Sequence, residues 1–216
     1  MSILAYCISM AIRKVARMGH PVLRQVARQL SKKEILSEDT RLLVRDLIET
    51  MEEYGGIGIA APQVHEALAV AIIDFQEGHP RYKNETTENK AEENEAEENE
   101  NEPVPLTVVI NPKITVLDET AQSYWEGCLS VPEIRGLVKR PRKVRIDFLD
   151  LEAKSQSITA EGFLATVFQH ELDHLFGTLF VDRIEYAPGK SPIAFTDEYS
   201  KYLTPKEEDD VGELDE

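Results

Sequence analysis

The sequence predicts an α+β fold. Two segments carry apolar residues at helical spacing, and between them lie short apolar runs rich in β-branched residues, which are typical of strands. This order of elements supports the α+β class. The chain has 216 residues, enough for one domain with a sizeable core, and it contains no hydrophobic run long enough to span a bilayer.

The first predicted helix covers residues 39–54. Leu43, Leu47 and Met51 recur at the spacing that places them on one helical face. Asp39 stands where a residue would cap the helix N-terminus, so we expect it to be the cap.

A glycine-rich stretch, GIGIAAPQ at residues 56–63, follows this helix directly. Its glycine spacing also fits the dinucleotide-binding fingerprint, but that fingerprint needs a strand before the glycines and a helix after them. Here the order is reversed. A flexible connecting loop is one interpretation. The other is a backbone that approaches a substrate closely, with Gln63 projecting its amide into the site.

Four segments are predicted as strands because they are apolar and rich in branched residues: 68–75, 106–111, 113–117 and 144–151. Between the first two lies an acidic stretch, residues 85–102, with nine glutamates, one lysine and almost no apolar residues. Such a stretch cannot bury enough surface to fold. We therefore expect a disordered insert at about residues 81–103.

The net charge of −16 is concentrated in this insert and at the C-terminus, where residues 206–216 carry seven acidic residues and one lysine. The remaining chain is close to neutral. Charge runs of this kind are usually solvated segments and not recognition surfaces. We expect one domain over residues 1–184, an acidic tail over residues 185–216, and no direct binding to nucleic acid.

The clearest functional signal is QHELDH at residues 169–174. Residues four apart on a helix lie on the same face, so His170 and His174 can hold one metal ion with Glu171 beside it. Gly177 follows where the helix would end. Solvated polar residues on a surface helix are the alternative interpretation. Four apolar residues at helical spacing predict the buried face: Leu164, Phe168, Leu172 and Leu175.

A catalytic metal usually takes three protein ligands, so the chain must supply one more. Zinc proteases with a longer motif place a third histidine downstream, but Phe180 occupies that position here. The other histidines lie far upstream in contexts that suggest no role: His20, His65 and His79. Cys128, in EGCLS at residues 126–130, is the better candidate, and a thiolate with two imidazoles suits zinc, iron, cobalt or nickel.

The apolar opening from Ile3 to Ile12 has no basic region before it and no small-residue cleavage pattern after it, so we do not predict a signal peptide. Met10 is an alternative start. If Cys128 is a ligand, Cys7 has no disulfide partner, which suits a reducing compartment. We expect a protein of the bacterial cytoplasm.

The three segments GIGIAAPQ, EGCLS and QHELDH resemble, in order and spacing, the three signature motifs of the peptide deformylases. The resemblance implies mixed or antiparallel sheets wrapped around a central C-terminal metal-binding helix, with a further helix near the N-terminus. It also implies removal of the N-formyl group from the first methionine of new polypeptides, with release of formate. Ferrous iron, Fe(2+), is the implied metal, and zinc, nickel and cobalt are alternatives.

The resemblance also implies roles for individual residues. Glu171 would be the general base, while the Gln63 side chain and the Leu129 backbone N–H would stabilise a developing oxyanion. Asp173 would either orient a metal ligand or be an exposed helix charge, and Arg135 would contact peptide beyond the methionine. The implied metal ligands are Cys128, His170 and His174. The implied substrate contacts are Gly56, Ile57, Gly58, Tyr124, Glu126, Gly127, Phe163 and Val167, with Thr166 as a further pocket position.

Two other functions stay open at this point. A zinc endopeptidase could use the same helix with a different third ligand; it would cleave internal peptide bonds and tolerate loss of Cys128. An inactive relative could act as a binding module. For the deformylase, we expect N-formylmethionyl nascent peptides as partners, transient proximity to the ribosome, no membrane association and a monomer.

Overall fold

The computed structural model describes residues 11–75, 104–186 and 191–202. Its helices are α1 (Lys32–Ile35), α2 (Glu38–Glu53), α3 (Gly162–Leu175) and α4 (Thr196–Tyr202). Its strands are β1 (Gly58–Ala60), β2 (Val70–Phe75), β3 (Val104–Cys128), β4 (Val131–Leu149), β5 (Ser155–Glu161) and β6 (Ile193–Phe195). Short 3-10 helices lie at Pro21–Arg24, Ala61–Val64 and Phe180–Arg183.

The predicted α+β class is confirmed. Within the described ranges, no helix is both long enough and apolar enough to cross a membrane. Several predicted features lie outside those ranges: the insert at about residues 81–103, the end of the chain after residue 202, Cys7 and Met10.

One six-stranded sheet organises the chain, in the order β1-β2-β3-β4-β5, with β6 paired to β4. The strand pairings are antiparallel throughout the described residues, so of the two arrangements expected the antiparallel one is present. β3 and β4 form a long hairpin with interrupted register. Such interruptions bend strands, which lets the sheet curve around α3. The interruptions in register lie between Ile110 and Lys113, Val116 and Asp118, Asp118 and Ala121, and Gly127 and Cys128.

The sequence predicts residues 106–111 and 113–117 as separate strands, but both are parts of β3. At the break, Asn111 adopts a left-handed φ of 51° and its side chain bonds the backbone of Leu30, and pairing with β4 resumes at Lys113. The second half of β3, most of β4, and all of β5 and β6 were not predicted. Polar and charged residues along β3, β4 and β5 obscure the alternation by which strands are recognised. β6, and β1, which was not predicted as a strand either, have only three residues each.

Helix α2 closely matches the predicted range of 39–54, but Asp39 is not its cap. The Ser37 side chain accepts a hydrogen bond from the Thr40 backbone N–H at 3.3 Å. Asp39 lies inside the first turn, where its negative charge still favours the helix dipole. The apolar face packs into a core cluster as predicted, with contributions from Leu43, Leu47, Met51, Ile59, Ile72 and Ile110.

Helix α3, which carries the histidine motif, is enclosed on every side. All of its residues are buried, so it has no solvent-facing stripe. It starts directly after β5 and ends at Leu175, ahead of Gly177, whose φ of 71° suits glycine. Full burial of one large apolar side chain contributes about 1.5–3 kcal/mol, so this helix anchors the core. Its core residues pack with the sheet in one cluster, among them Phe163, Leu164, Phe168, Val144 and Ile146.

The beginning of the predicted tail is part of the fold. β6 pairs with residues 134–136 of β4, and the Leu137 backbone N–H donates to the Pro192 carbonyl at 2.8 Å. α4 follows β6 directly, and Tyr199 in α4 is buried to 3% exposure. Residues 191–202 therefore cover the edge of β4.

Candidate metal centre and substrate cavity

Three potential metal ligands meet between the sheet and α3. Cys128 ends β3, and His170 and His174 lie one turn apart on α3. One donor atom from each lies within 4.8 Å of the other two, and all three residues are buried. The Cys128 Sγ is 3.3 Å from the His174 Nε2. This is the compact cysteine and two-histidine cluster that the spacing of the motifs predicted.

The charges within this cluster depend on one another. Burial raises the pKa of the Cys128 thiol, but the two imidazoles outweigh burial and bring it well below its usual range. Burial lowers the pKa of His170, but its contacts with Cys128 and Glu126 outweigh burial and raise it. An anionic sulfur with two imidazole nitrogens is a donor set that fits one divalent transition metal.

Glu126 supplies the partner of His170. Its carboxylate accepts a hydrogen bond from the His170 Nδ1–H at 2.7 Å, which leaves the Nε2 side of the ring for Cys128. Arg140 donates two bonds to the same carboxylate, at 2.6 and 2.9 Å. Burial raises the pKa of Glu126, but the bonds from Arg140 and then His170 dominate and lower it to about 2.

Asp173 does not contact either imidazole in the described hydrogen bonds. It accepts a bond from Arg140 at 2.8 Å and two from Arg183 at 2.5 Å. Asp173 is therefore not an exposed helix charge, and its link to the ligand His170 is indirect. It is a buried charge that holds Arg140, which in turn holds Glu126.

Glu171 lies beside the cluster and is almost fully buried, with 6% exposure. Burial raises its pKa above the ordinary value, against the opposing charges of the two histidines. Its Oε2 has no hydrogen-bond partner among the described residues. The carboxylate rests against Gly58, where an added Cβ would lie only 2.5 Å from Oε1. Only glycine fits at this position while Glu171 keeps its place.

Gln63 is held in a fixed orientation by the 3-10 helix Ala61–Val64. Its Oε1 accepts from the Ala60 backbone N–H at 2.8 Å. Its amide nitrogen donates towards the Cys128 Sγ at 3.5 Å and the Ser130 Oγ at 3.3 Å. The amide N–H groups therefore point to the metal-ligand side of the cavity.

A cavity opens over this cluster, and most residues expected to contact substrate line it. Tyr124 does not line it; its ring packs edge-on against Phe163 at 5.2 Å, behind the wall. His174 lies below the cavity, at 1% exposure. The predicted residues in the wall are Gly56, Ile57, Gly58, Gln63, Glu126, Gly127, Cys128, Leu129, Phe163, Val167, His170 and Glu171.

Thr166, the further pocket position predicted, also lines the wall, as do Trp125 and Arg135. Trp125 was not considered from the sequence, although it precedes the EGCLS segment and lies on the same strand face as Gly127. Arg135 was considered only as a contact beyond methionine. Its position follows from its pairing opposite Gly127 in the β3–β4 hairpin, which the sequence does not reveal.

A model of the family described as "Polypeptide deformylase" matches residues 12–188. Peptide deformylase from Leptospira biflexa is 39% identical over 176 residues, covering 82% of this chain and 89% of the relative. Peptide deformylase from Novosphingobium aromaticivorans is 41% identical over 175 residues, covering 81% and 90%. Among solved structures, class I type b peptide deformylase from Acinetobacter baumannii, bound to Met-ala-ser, superposes with a TM-score of 0.70 at 33% identity, covering 82% of this chain and 100% of that one.

Proposed function

This chain belongs to the peptide deformylase family, and we propose that Cys128, His170 and His174 hold the ion with which it hydrolyses the formyl group. The protein is a peptide deformylase, a hydrolase that removes the N-formyl group from nascent peptides. The observation that carries the proposed site is the buried cysteine and two-histidine cluster beside the Glu171 carboxylate.

A divalent ion bound there would supply Lewis acidity, lowering the pKa of a water molecule and polarising the formyl carbonyl. We propose ferrous iron as the native ion, as the family resemblance implies. The donor set also suits zinc, nickel or cobalt.

Glu126 orients His170 for this role. Its ionised carboxylate fixes the proton on Nδ1, so Nε2 is the nitrogen available to a metal. Arg140 and Asp173 keep the Glu126 carboxylate ionised and in place. We therefore propose that Glu126 is a positioning residue for the metal ligand, although part of it borders the cavity.

Glu171 is the proposed general base. Its unpaired Oε2 would take a proton from the attacking water and then deliver it to the amine that leaves. The raised pKa of this carboxyl suits both steps, because proton exchange is most efficient when the pKa of the catalyst is closer to the working pH. Gly58 leaves the space that this carboxylate needs.

The oxyanion would be stabilised by the Gln63 amide and the Leu129 backbone N–H. Both residues line the cavity, and the amide N–H groups of Gln63 already point towards Cys128. Fixed donors of this kind stabilise charge that develops in a transition state without needing to reorganise. The Gln63 amide would exchange its weak bond with Ser130 for one with the oxyanion.

The methionine side chain would occupy the apolar part of the cavity. Ile57, Phe163 and Val167 form this part of the wall. Tyr124 supports the pocket from behind by packing on Phe163. The glycines at 56 and 58 let backbone approach the substrate closely.

The direct test is formate release from formyl-Met-Ala-Ser by the metal-loaded protein, with peptide products separated in the same assay. We expect formate and intact Met-Ala-Ser. Cleavage of the Met–Ala bond without formate would instead support the endopeptidase alternative. If neither product formed, the result would support an inactive relative and overturn the proposed site.

We also propose the cellular setting that the family resemblance implies: a monomer of the bacterial cytoplasm that meets N-formylmethionyl nascent peptides near the ribosome. The net charge of −16 supports the expectation that it does not bind nucleic acid directly, because phosphates would repel it.

A further inference from the structure

The segment made of β6 and α4 lies beyond residues 12–188, the part of the chain that the family model matches. β6 pairs with residues 134–136 along one edge of β4. Along the other edge, the same stretch of β4 pairs with Glu126 and Gly127 of β3. The segment therefore adjoins the wall of the substrate cavity. Family membership alone assigns it no role.

Tyr199 makes the contact between this segment and the cavity wall. It is 3% exposed, whereas the neighbouring residues 196–198 and 200–201 of α4 are exposed. Its ring centroid lies 5.5 Å from that of Trp125, at an angle of 51° between the rings. The Arg135 Cζ lies 5.0 Å from the Tyr199 ring centroid. Both Trp125 and Arg135 line the cavity.

The Arg135 side chain packs against two neighbours. One is the Tyr199 ring. The other is Gly127, where an added Cβ would be 3.5 Å from the Arg135 Cζ and Nε. A guanidinium above an aromatic ring is attracted by the ring quadrupole, and packing against both neighbours restricts its rotamers. The ring of Tyr199 thus limits the positions that this cation can take.

Arg135 also borders a second groove that continues from the cavity, lined in addition by Leu129, Lys14, Arg17 and Thr196. A peptide whose first residue fills the cavity would extend along this groove. Its carbonyl oxygens are acceptors for the guanidinium N–H groups, which offer several donors in a fixed plane.

We propose that Tyr199 is a positioning residue for substrate: it holds Arg135 and Trp125 where they contact the residues that follow the formylmethionine. The proposal rests on the deformylase function above. It predicts that Tyr199 affects binding of longer peptides and leaves the chemical step alone, because Tyr199 does not line the cavity and is not one of the three candidate metal ligands.

The test compares Tyr199→Ala, Tyr199→Phe and wild-type protein on formyl-Met-Ala-Ser and on formyl-methionine amide. Tyr199→Ala should raise KM for the tripeptide by about threefold to tenfold, the range expected for loss of one cation–π contact. Its kcat and metal content should not change, and KM for formyl-methionine amide should stay near the wild-type value. Tyr199→Phe, which keeps the ring, should restore the tripeptide KM.

Phe195→Ala is the matched control, since Phe195 lies in β6 and is 62% exposed. It should behave as wild type. A double-mutant cycle with Arg135→Ala then separates positioning from general damage: once Arg135 is absent, Tyr199→Ala should weaken tripeptide binding by much less than it does alone. If Tyr199→Ala does not fold, Tyr199→Leu, which keeps apolar volume but lacks the ring, takes its place.

Calorimetry with Met-Ala-Ser measures the same effect without turnover. One outcome is that the wild-type protein releases formate but Tyr199→Ala binds Met-Ala-Ser as tightly as the wild type does. This result would overturn the positioning role and leave the deformylase function intact. Equal losses for both substrates, or fully additive effects with Arg135→Ala, would overturn it as well. If the wild-type protein released no formate from either substrate, the deformylase function itself would fail.

Discussion

Replacing Glu126 with glutamine removes one buried negative charge while keeping the size of the side chain. On folding, the pKa of Glu126 falls from 4.5 to about 2, because the bonds from Arg140 and His170 outweigh burial. A carboxyl group whose pKa falls this far contributes about 3 kcal/mol to stability at neutral pH. Loss of one partner of a buried ion pair independently suggests about 3–5 kcal/mol. We expect Glu126→Gln to lower the free energy of unfolding by about 3 kcal/mol at neutral pH.

The pH dependence of this difference gives a second test. Because the folded-state pKa lies below the unfolded-state pKa, the stabilisation is fully present above about pH 4.5 and is lost as the pH falls towards about 2. The wild-type protein and Glu126→Gln should therefore become more alike in acid. By about pH 3, less than half of the difference should remain.

Urea unfolding of the two metal-free proteins, from about pH 7 to about pH 3, measures both effects. Glu161→Gln is a suitable control, because Glu161 pairs with Arg142 at 3.1 Å and Lys143 at 2.8 Å on the surface. Exposed pairs of this kind contribute about 0.2–1 kcal/mol. A Glu126→Gln variant as stable as this control, or a difference that stays constant with pH, would refute the reasoning.

Four further outcomes are expected. Glu171→Gln should keep its metal but lose about 100-fold to 10,000-fold in kcat for formate release, since its carboxylate is the proposed base; metal loss alongside lost activity would argue for a ligand role instead. Cobalt-substituted Cys128→Ser should lose most of its metal and the near-ultraviolet thiolate charge-transfer band, which Cys7→Ser should keep; an unchanged spectrum would exclude Cys128 as a ligand. Gly58→Ala should displace the Glu171 carboxylate and lower kcat by about 100-fold, so a wild-type kcat would show that the carboxylate has room to move. Replacing residues 85–102 with a short Gly-Ser linker should leave formate release unchanged, and a large rise in KM would show that this stretch reaches the site.

The metal cluster could be predicted because its signals are short and local. His170 and His174 are related by one helical turn, and Cys128 lies within a five-residue motif. Glu171, the proposed general base, is equally local, since it adjoins His170 in the same motif. Helix α3 was recognised from its apolar spacing and its stop at Gly177, both of which are properties of one short segment.

The surroundings of the cluster could not be predicted, because they depend on the register of distant strands. Glu126 was expected to contact substrate, yet its carboxylate is occupied by His170 and Arg140. The local sequence does not show that the Arg140 side chain on β4 bonds the Glu126 carboxylate on β3, the neighbouring strand of the hairpin. Tyr199 is a similar case: its contact with Trp125 requires β6 to pair with β4, and β6 is too short to be recognised from its sequence.

The complete burial of α3 has a consequence for synthesis of the protein on the ribosome. Strands β1 to β5 all precede this helix in the chain, and the core side chains of the sheet pack against it. While these strands emerge, their apolar face has no partner, and exposed sheet surface of this kind is prone to aggregate. The face of the sheet that packs on α3 therefore remains uncovered until this helix has left the ribosome, whereas the cluster formed with α2 needs only residues that precede α3.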